Sequence, residues 1–466
     1  MSNPNQNLDL TSLSIPEAAS LLREDEVTPT DLTQAGLEKI RERNPTLNAF
    51  WEVYEEEALQ AASRAGKELE NGEDKGPLHG IPIAVKDTID IGGKRTTKGG
   101  HPKLQPQMPE EDAFVVKQLK KAGAVIMGKT GLDEWGLGVI SQNIHMGSVR
   151  NPRDPDRVPG GSSGGSAAAV VSGMALGALG TDAGGSVRIP ASFCGCVGLM
   201  PTFGLVSVLG ATHPDVLFRV GPLSKTVEGG ARLLEAISGH NPGDPTSVDK
   251  QAEGYLPGSK KEGFTNLRLL TISSFLTDID STISDRFLDA LAVLEEVGGT
   301  VEKQELDISL DRVNESHLSI LLTDMLVNRE EEVKNYPWCF SEYVRYYLNK
   351  GMDYRGIDVA QARIVQREWR KTMEQILDDH TLLALPTLPV PAPRFSEVES
   401  AEKHSQLAGK ITRSTAPFNL AGVPAITIPL GEVEGLPVGL QLVGAPWNEK
   451  FLLKAADAYQ QTDGRR

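Results

Sequence analysis

Pro159-Gly-Gly-Ser-Ser-Gly-Gly-Ser166 is followed a short way along the chain by Gly180-Thr-Asp-Ala-Gly-Gly-Ser-Val-Arg188. Each is a glycine-rich turn that delivers serines. Glycine is required where backbone must take a positive φ or approach a ligand closely. A phosphate loop would end in Gly-Lys-Ser/Thr, and here the run ends Gly165-Ser166-Ala167. A dinucleotide fingerprint would place glycine at 159, 161 and 164 after a strand. Position 159 is proline, and Asn151 to Val158 is charged. Gly161-Ser-Ser163-Gly-Gly165 matches the nucleophile elbow of α/β-hydrolases, but an elbow follows a buried strand, which Arg150 to Arg157 cannot form. No single histidine of the 8 stands out as its base. Tight turns alone remain a sufficient reading for one such run, less so for two.

A third feature lies upstream. Gly80-Ile-Pro-Ile-Ala-Val-Lys-Asp87 is a short apolar strand ending in lysine. Such a lysine either snorkels to solvent or, if desolvated, loses its proton readily and serves as a general base.

Working outward, the first seventy residues read as helices. Ser14-Ile-Pro-Glu17 and Thr28-Pro-Thr-Asp31 have the spacing of N-terminal caps, and the second helix is expected to stop at Asn44-Pro45. A third helix is expected over 55–69. Beyond Gly80, strand 81–85, a helix capped by Asp112 and ending at Gly123, and strand 124–127 alternate. A small-residue helix over 166–173, a strand over 176–179 and helices near 226–237, 286–297 and 360–377 continue the pattern, with strands near 382–386 and 425–441. This alternation predicts an α/β fold with a mixed, largely parallel central sheet and helices on both faces. The region 241–400 is the least regular. Five tyrosines fall between Tyr336 and Tyr354, with Trp338 and Phe340 nearby. They form either an aromatic helix packed on the core or the wall of a pocket.

Composition limits the function classes. The 466 residues are 39% hydrophobic and 24% charged, which supports a large core. The net charge of −16 and the lack of a dense basic run disfavour nucleic acid as a partner. The polar segment Met1–Leu10 lacks the apolar centre of a signal peptide, and no run of about 18 apolar residues predicts a membrane span. A cytoplasmic location is expected. Cys194, Cys196 and Cys339 are too few for a disulfide framework, and Cys194 and Cys196 lack partners for a zinc site, so buried free thiols are expected.

At the glycine/serine turns and Lys86 the chain resembles the amidase signature family. The similarity is dense from His79 through Gly239 and returns at Ala416 to Gly444. It includes Gly123-Ala-Val-Ile-Met-Gly-Lys-Thr130, all of 158–199 and Ala421-Gly-Val-Pro-Ala-Ile-Thr-Ile-Pro429. It departs at Met200, where the family usually carries lysine, and at Gly229-Gly230; neither touches the expected site.

The resemblance implies one amidase signature domain over 1–466, comprising an N-terminal helical segment (1–75), a catalytic core (76–240), a variable substrate-pocket region (241–400) and a return to the core (401–466). It implies a Ser-Ser-Lys triad, with Ser186 as nucleophile, Ser162 as proton relay after a cis Gly161–Ser162 bond, and Lys86 as general base. The backbone N–H groups of Ala183, Gly184, Gly185 and Ser186 would form the oxyanion hole. Ser163, Thr181, Asp182 and Arg188 would support the turn, and Gly136, with Trp135 beside it, would fall at the acyl pocket wall. The chemistry needs no metal or organic cofactor.

The implied activity is hydrolysis of an amide-type C–N bond in a small amide, carbamate or ester. A homodimer is compatible with this reading. One alternative is the glutaminase (A) subunit of a tRNA-dependent amidotransferase, although its Arg- and Tyr-rich glutamine signature has no clean counterpart over 330–370. The other is an inactive binding subunit on the same fold.

Overall fold

Ser14 and Thr28 each open a helix by a reciprocal cap. The Glu17 carboxylate accepts from Ser14 N–H at 2.8 Å, and Asp31 accepts from Thr28 N–H at 2.9 Å. The first helix is Ile15–Arg23 and the second Pro29–Leu47. The second does not stop at Asn44. Pro45 sits in its last turn, where it costs the helix one bond of the ladder without ending it, and Asn48 closes the helix in the left-handed region at φ 48°. Asp112 is not a cap either. The helix Phe114–Lys121 follows Ala113 with no side-chain cap, while Asp112 accepts from Gly92 N–H at 2.9 Å and pairs with Lys120. The computed structural model describes residues 8–104, 108–211, 216–250, 254–256, 264, 266–327 and 329–462. The first seven residues of the polar N-terminal segment lie outside these.

Eleven strands make one sheet. In chain order they are β1 (Phe50–Val53), β2 (Pro82–Lys86), β3 (Val125–Thr130), β4 (Gly177–Asp182), β5 (Val197–Met200), β6 (Arg219–Ser224), β7 (Leu267–Ile272), β8 (Gly299–Gln304), β9 (Thr381–Pro386), β10 (Ala425–Val433) and β11 (Leu436–Val443). Their spatial order is β1-β3-β2-β4-β6-β5-β10-β11-β9-β7-β8.

The expected largely parallel sheet is corrected. Only β2 with β3 and β4, and β7 with β8 and β9, pair in parallel. The other neighbours, β1 with β3 and the whole run from β4 to β9, are antiparallel. The helix-linked strands β2 to β5 do share one direction, as do β7 to β9. However, β6 inserts between β4 and β5 in the opposite sense, and the β10–β11 hairpin closes the gap to β9. Glu434 and Gly435 turn that hairpin, both at positive φ (53° and 77°), the combination a two-residue turn needs to match strand twist.

Helices cover the sheet. The short helix Gly164–Val171 is enclosed on all sides, and its Ala167, Ala168 and Ala169 have no exposed surface. Its start is as close to the neighbouring loop as backbone allows: a Cβ on Gly165 would lie 2.4 Å from Gly131 N. Lys86 ends β2, and Thr181 and Asp182 end β4. The residues of interest therefore collect at the carboxyl ends of parallel strands, where the glycine-rich turns leave the sheet. Among the described residues, no helix is long and apolar enough to cross a membrane. Cys194, Cys196 and Cys339 are free and buried.

Candidate active site

Lys86 does not snorkel. Its side chain is fully buried, and Nζ lies 2.8 Å from Ser162 Oγ, 2.9 Å from Ser163 Oγ and 2.8 Å from Thr181 Oγ1. Burial pulls its pKa down from 10.5 to about 7, with only partial opposition from the Asp133 and Asp182 carboxylates. Ser163 O–H donates to Thr181 O at 3.2 Å, which leaves its oxygen to accept from the lysine. A neutral amine there can spend its two hydrogens on Ser163 and Thr181 and turn its lone pair to Ser162 O–H.

The Gly161–Ser162 bond is cis. Ser186 is half-buried and faces a cavity, and its carbonyl accepts from Ser163 N–H at 3.1 Å, which joins the two serine turns. The turn carrying Ser186 is braced from behind. Arg188, with no exposed surface, binds Asp182 through Nε (3.1 Å) and Nη2 (3.0 Å), then reaches Thr415 O, Asn419 Oδ1 and Gln441 Oε1. Burial works to raise the Asp182 carboxyl. The Arg188 guanidinium, with Asn419 and the Val187 N–H, overcomes it and holds the group well below the usual carboxylate range.

The four expected oxyanion donors are not equivalent. Gly185 N–H donates to Asp182 Oδ1 at 2.8 Å, so it is spoken for and leaves the expected set. Ala183, Gly184 and Ser186 line the cavity, whereas Gly185 does not. Their N–H groups find no acceptor among the described residues. Gly185 is needed for another reason: at φ +126°, a Cβ there would meet Thr415 Oγ1 at 2.4 Å.

The cavity over Ser186 has a volume of about 270 Å³. Gly136 lies on its wall, and a Cβ there would come 3.6 Å from Ser162 Oγ. Trp135 is a correction. Its backbone sits at φ 57°, and its ring turns away from the cavity into a cluster with Leu322 and Leu326, under the Arg329 guanidinium at 3.4 Å. The aromatic segment divides: Tyr343 and Tyr347 pack in that cluster and also line the cavity, while Trp338 and Tyr346 are exposed. Leu318, Leu321 and Met325 of helix Leu310–Val327 and Val139, Ile189 and Phe218 complete an apolar lining. Asp311 and Glu315 stand exposed at its rim. No lysine or arginine occurs among the described lining residues.

Several groups at this site had no local signal in the sequence. His317 is buried in the cavity wall with Nε2 2.7 Å from Ala183 O, and burial lowers its pKa to about 4. Thr415 Oγ1 donates to Gly184 O at 2.6 Å, and Asn419 Nδ2 to Asp182 O at 3.1 Å. Asp133 packs against Gly161 and accepts from Ser141 and Gln142 N–H.

Comparison with known proteins finds relatives that match most of the chain. A family model described as Amidase matches residues 31–453. The chain is 34% identical to the A subunit of the glutamyl-tRNA(Gln) amidotransferase of Carboxydothermus hydrogenoformans, over 97% of this chain and 98% of that protein. A crystal structure of an amidase superposes with a TM-score of 0.84 at 33% identity, covering 96% of this chain and 99% of the other. A chain from a vestigial complex related to the origins of an s-triazine catabolic enzyme superposes at 0.89 with 28% identity, covering 97% and 99%. With a family model that spans most of its length and relatives that match end to end, this chain belongs to the amidase signature family.

Proposed function

We propose that the chain is a free-standing serine hydrolase that cleaves the C–N bond of an uncharged amide or carbamate with an apolar acyl portion. Ser186 Oγ attacks the carbonyl carbon as Ser162 takes its proton and passes its own to Lys86. The carbonyl oxygen becomes an oxyanion facing the N–H groups of Ala183, Gly184 and Ser186. The relay then returns the proton to the leaving nitrogen, the C–N bond breaks, and an acyl-enzyme remains. Water, deprotonated by the same relay, hydrolyses it and frees Ser186. The geometry of Lys86 supports this role: it is dry, held by three hydroxyls, and near neutrality at physiological pH.

The observation that carries the substrate class is the lining of the cavity. It is apolar around Ser186 and carboxylate-bearing at the rim, with no cation among its described residues. A glutamine substrate brings an α-carboxylate, which a site normally meets with a paired cation. The second reading, a glutaminase subunit working with partners, is favoured by the 34% identity to the amidotransferase relative.

A hydrolysis panel on the purified chain separates the two. It contains glutamine, a short aliphatic amide, an aryl anilide and an aryl carbamate, with Ser186→Ala as control. Turnover of the anilide or carbamate that disappears in the variant is expected. Turnover of glutamine alone, or none until partner subunits are added, would overturn the free-standing reading in favour of the amidotransferase.

A further inference from the structure

Three side chains from outside the glycine/serine block donate to three successive carbonyls of the turn before Ser186. Asn419 Nδ2 donates to Asp182 O at 3.1 Å, His317 Nε2 lies 2.7 Å from Ala183 O, and Thr415 Oγ1 donates to Gly184 O at 2.6 Å. In a trans peptide the C=O and the following N–H lie in one plane and point in opposite directions. A donor on a carbonyl therefore aims the next residue's N–H. These three contacts orient the N–H groups of Ala183, Gly184 and Gly185 in turn. The Gly185 N–H is then taken by Asp182, while those of Ala183 and Gly184 face no protein acceptor among the described residues.

We infer that His317 is a positioning residue for the oxyanion hole, holding the Ala183–Gly184 peptide so that Gly184 N–H is presented to the developing oxyanion. This rests on the reading of Ser186 as nucleophile. A carbonyl only accepts, so His317 must carry its hydrogen on Nε2. Asn419 and Thr415 are held in turn by Arg188, through Asn419 Oδ1 at 2.6 Å and Thr415 O at 3.0 Å. His317 instead comes from the helix Leu310–Val327, whose Leu318, Leu321 and Met325 also wall the cavity. The ring lies close enough that a Cβ on Gly184 would meet its Cε1 at 3.1 Å. One helix thus supplies both the acyl wall and the brace for the peptide that stabilises the transition state. A shift of that helix on ligand binding would register directly at the hole.

The test compares His317→Gln, whose side-chain amide places a donor at the reach of Nε2, with His317→Met, which fills similar space with no donor. The readout is the second-order rate of phosphonylation of Ser186 by a fluorophosphonate, located by peptide mass spectrometry. That reaction also builds charge on an oxygen in the hole, and it needs no knowledge of the natural substrate. The Met variant is expected to react about 100-fold more slowly, the loss typical of one missing oxyanion donor, and the Gln variant within about tenfold of the unchanged chain. For any amide found to turn over, kcat should fall in the Met variant while KM changes little. Equal rates for Gln and Met, or a Met variant as fast as the unchanged chain, overturn the role of His317. A chain that is not phosphonylated on Ser186 at all overturns the underlying site assignment instead.

Discussion

Lys86 illustrates how one buried residue links activity to stability. Its pKa is about 7 in the folded chain and near 10.5 when the chain unfolds. As the base must be neutral, kcat/KM should rise with pH along an acid limb centred near 7 and then level off. Between about 7 and 10.5 the unfolded chain binds a proton that the folded chain does not, so this residue makes stability increase with pH across that window and imposes a constant cost below it. Lys86→Met should abolish turnover. In urea unfolding, the unchanged chain should gain stability relative to that variant as pH rises from 7 to 10. A relative change of the opposite sign, or an acid limb that survives in Lys86→Met, would rule the lysine out as base. Its candidacy was legible in the sequence because a lysine ending an apolar strand has only two fates. The three hydroxyls that decide between them come from two other segments of chain.

At the scale of elements, the loop from Asp133 to Ser141 clamps the cis turn. Asp133 accepts from Ser141 N–H at 2.9 Å, which helps hold Ser141 at φ +53°. The Ser141 hydroxyl then donates to Gly160 O at 2.8 Å and accepts from Gly164 N–H at 3.0 Å, bracketing Gly161 to Ser163 from both sides. Ser141→Ala leaves the buried Gly164 N–H without that acceptor, which should cost about 1–3 kcal/mol of stability by urea unfolding. The loosened relay should lower kcat ~10- to 100-fold, as small misplacements of reacting groups do. A variant with normal kcat would show that the Ser162 turn holds its shape unaided. The glycine and serine identities of this turn could be read directly, since close backbone approach restricts the choice of residue. Its brace could not, because Ser141 in Val-Ile-Ser-Gln resembles any loop serine. Sheet direction was misjudged for a related reason. Helix-linked strands do run together, but nothing local announces that β6 and the β10–β11 hairpin slot between them.

For the whole molecule, charge and cavity act together. A net charge of −16 surrounds an apolar cavity whose rim carries Asp311 and Glu315. An anionic substrate meets an unfavourable field on approach and no cation among the described lining residues, and Lys350 beside the rim is already engaged by Glu315 at 3.6 Å. For a matched pair of anilides, the one bearing a carboxylate on its acyl end should show at least ~10-fold lower kcat/KM at low salt, with the gap narrowing as salt screens the approach. Equal rates would mean that a cation outside the described lining serves the acyl end. By itself, the sequence determined the family, and with it the turns 159–166 and 180–188, the strand delivering Lys86 and the identity of the residues gathered there. Those positions are tied to local backbone geometry, so composition and spacing record them. Only the tertiary structure decided which way the strands run, that Gly185 N–H is already occupied, that Trp135 faces away from the cavity, and that His317, Tyr343 and Tyr347 arrive from distant helices to wall it. Such residues answer only to burial and to partners far along the chain, and contacts of that kind exist only once the chain has folded.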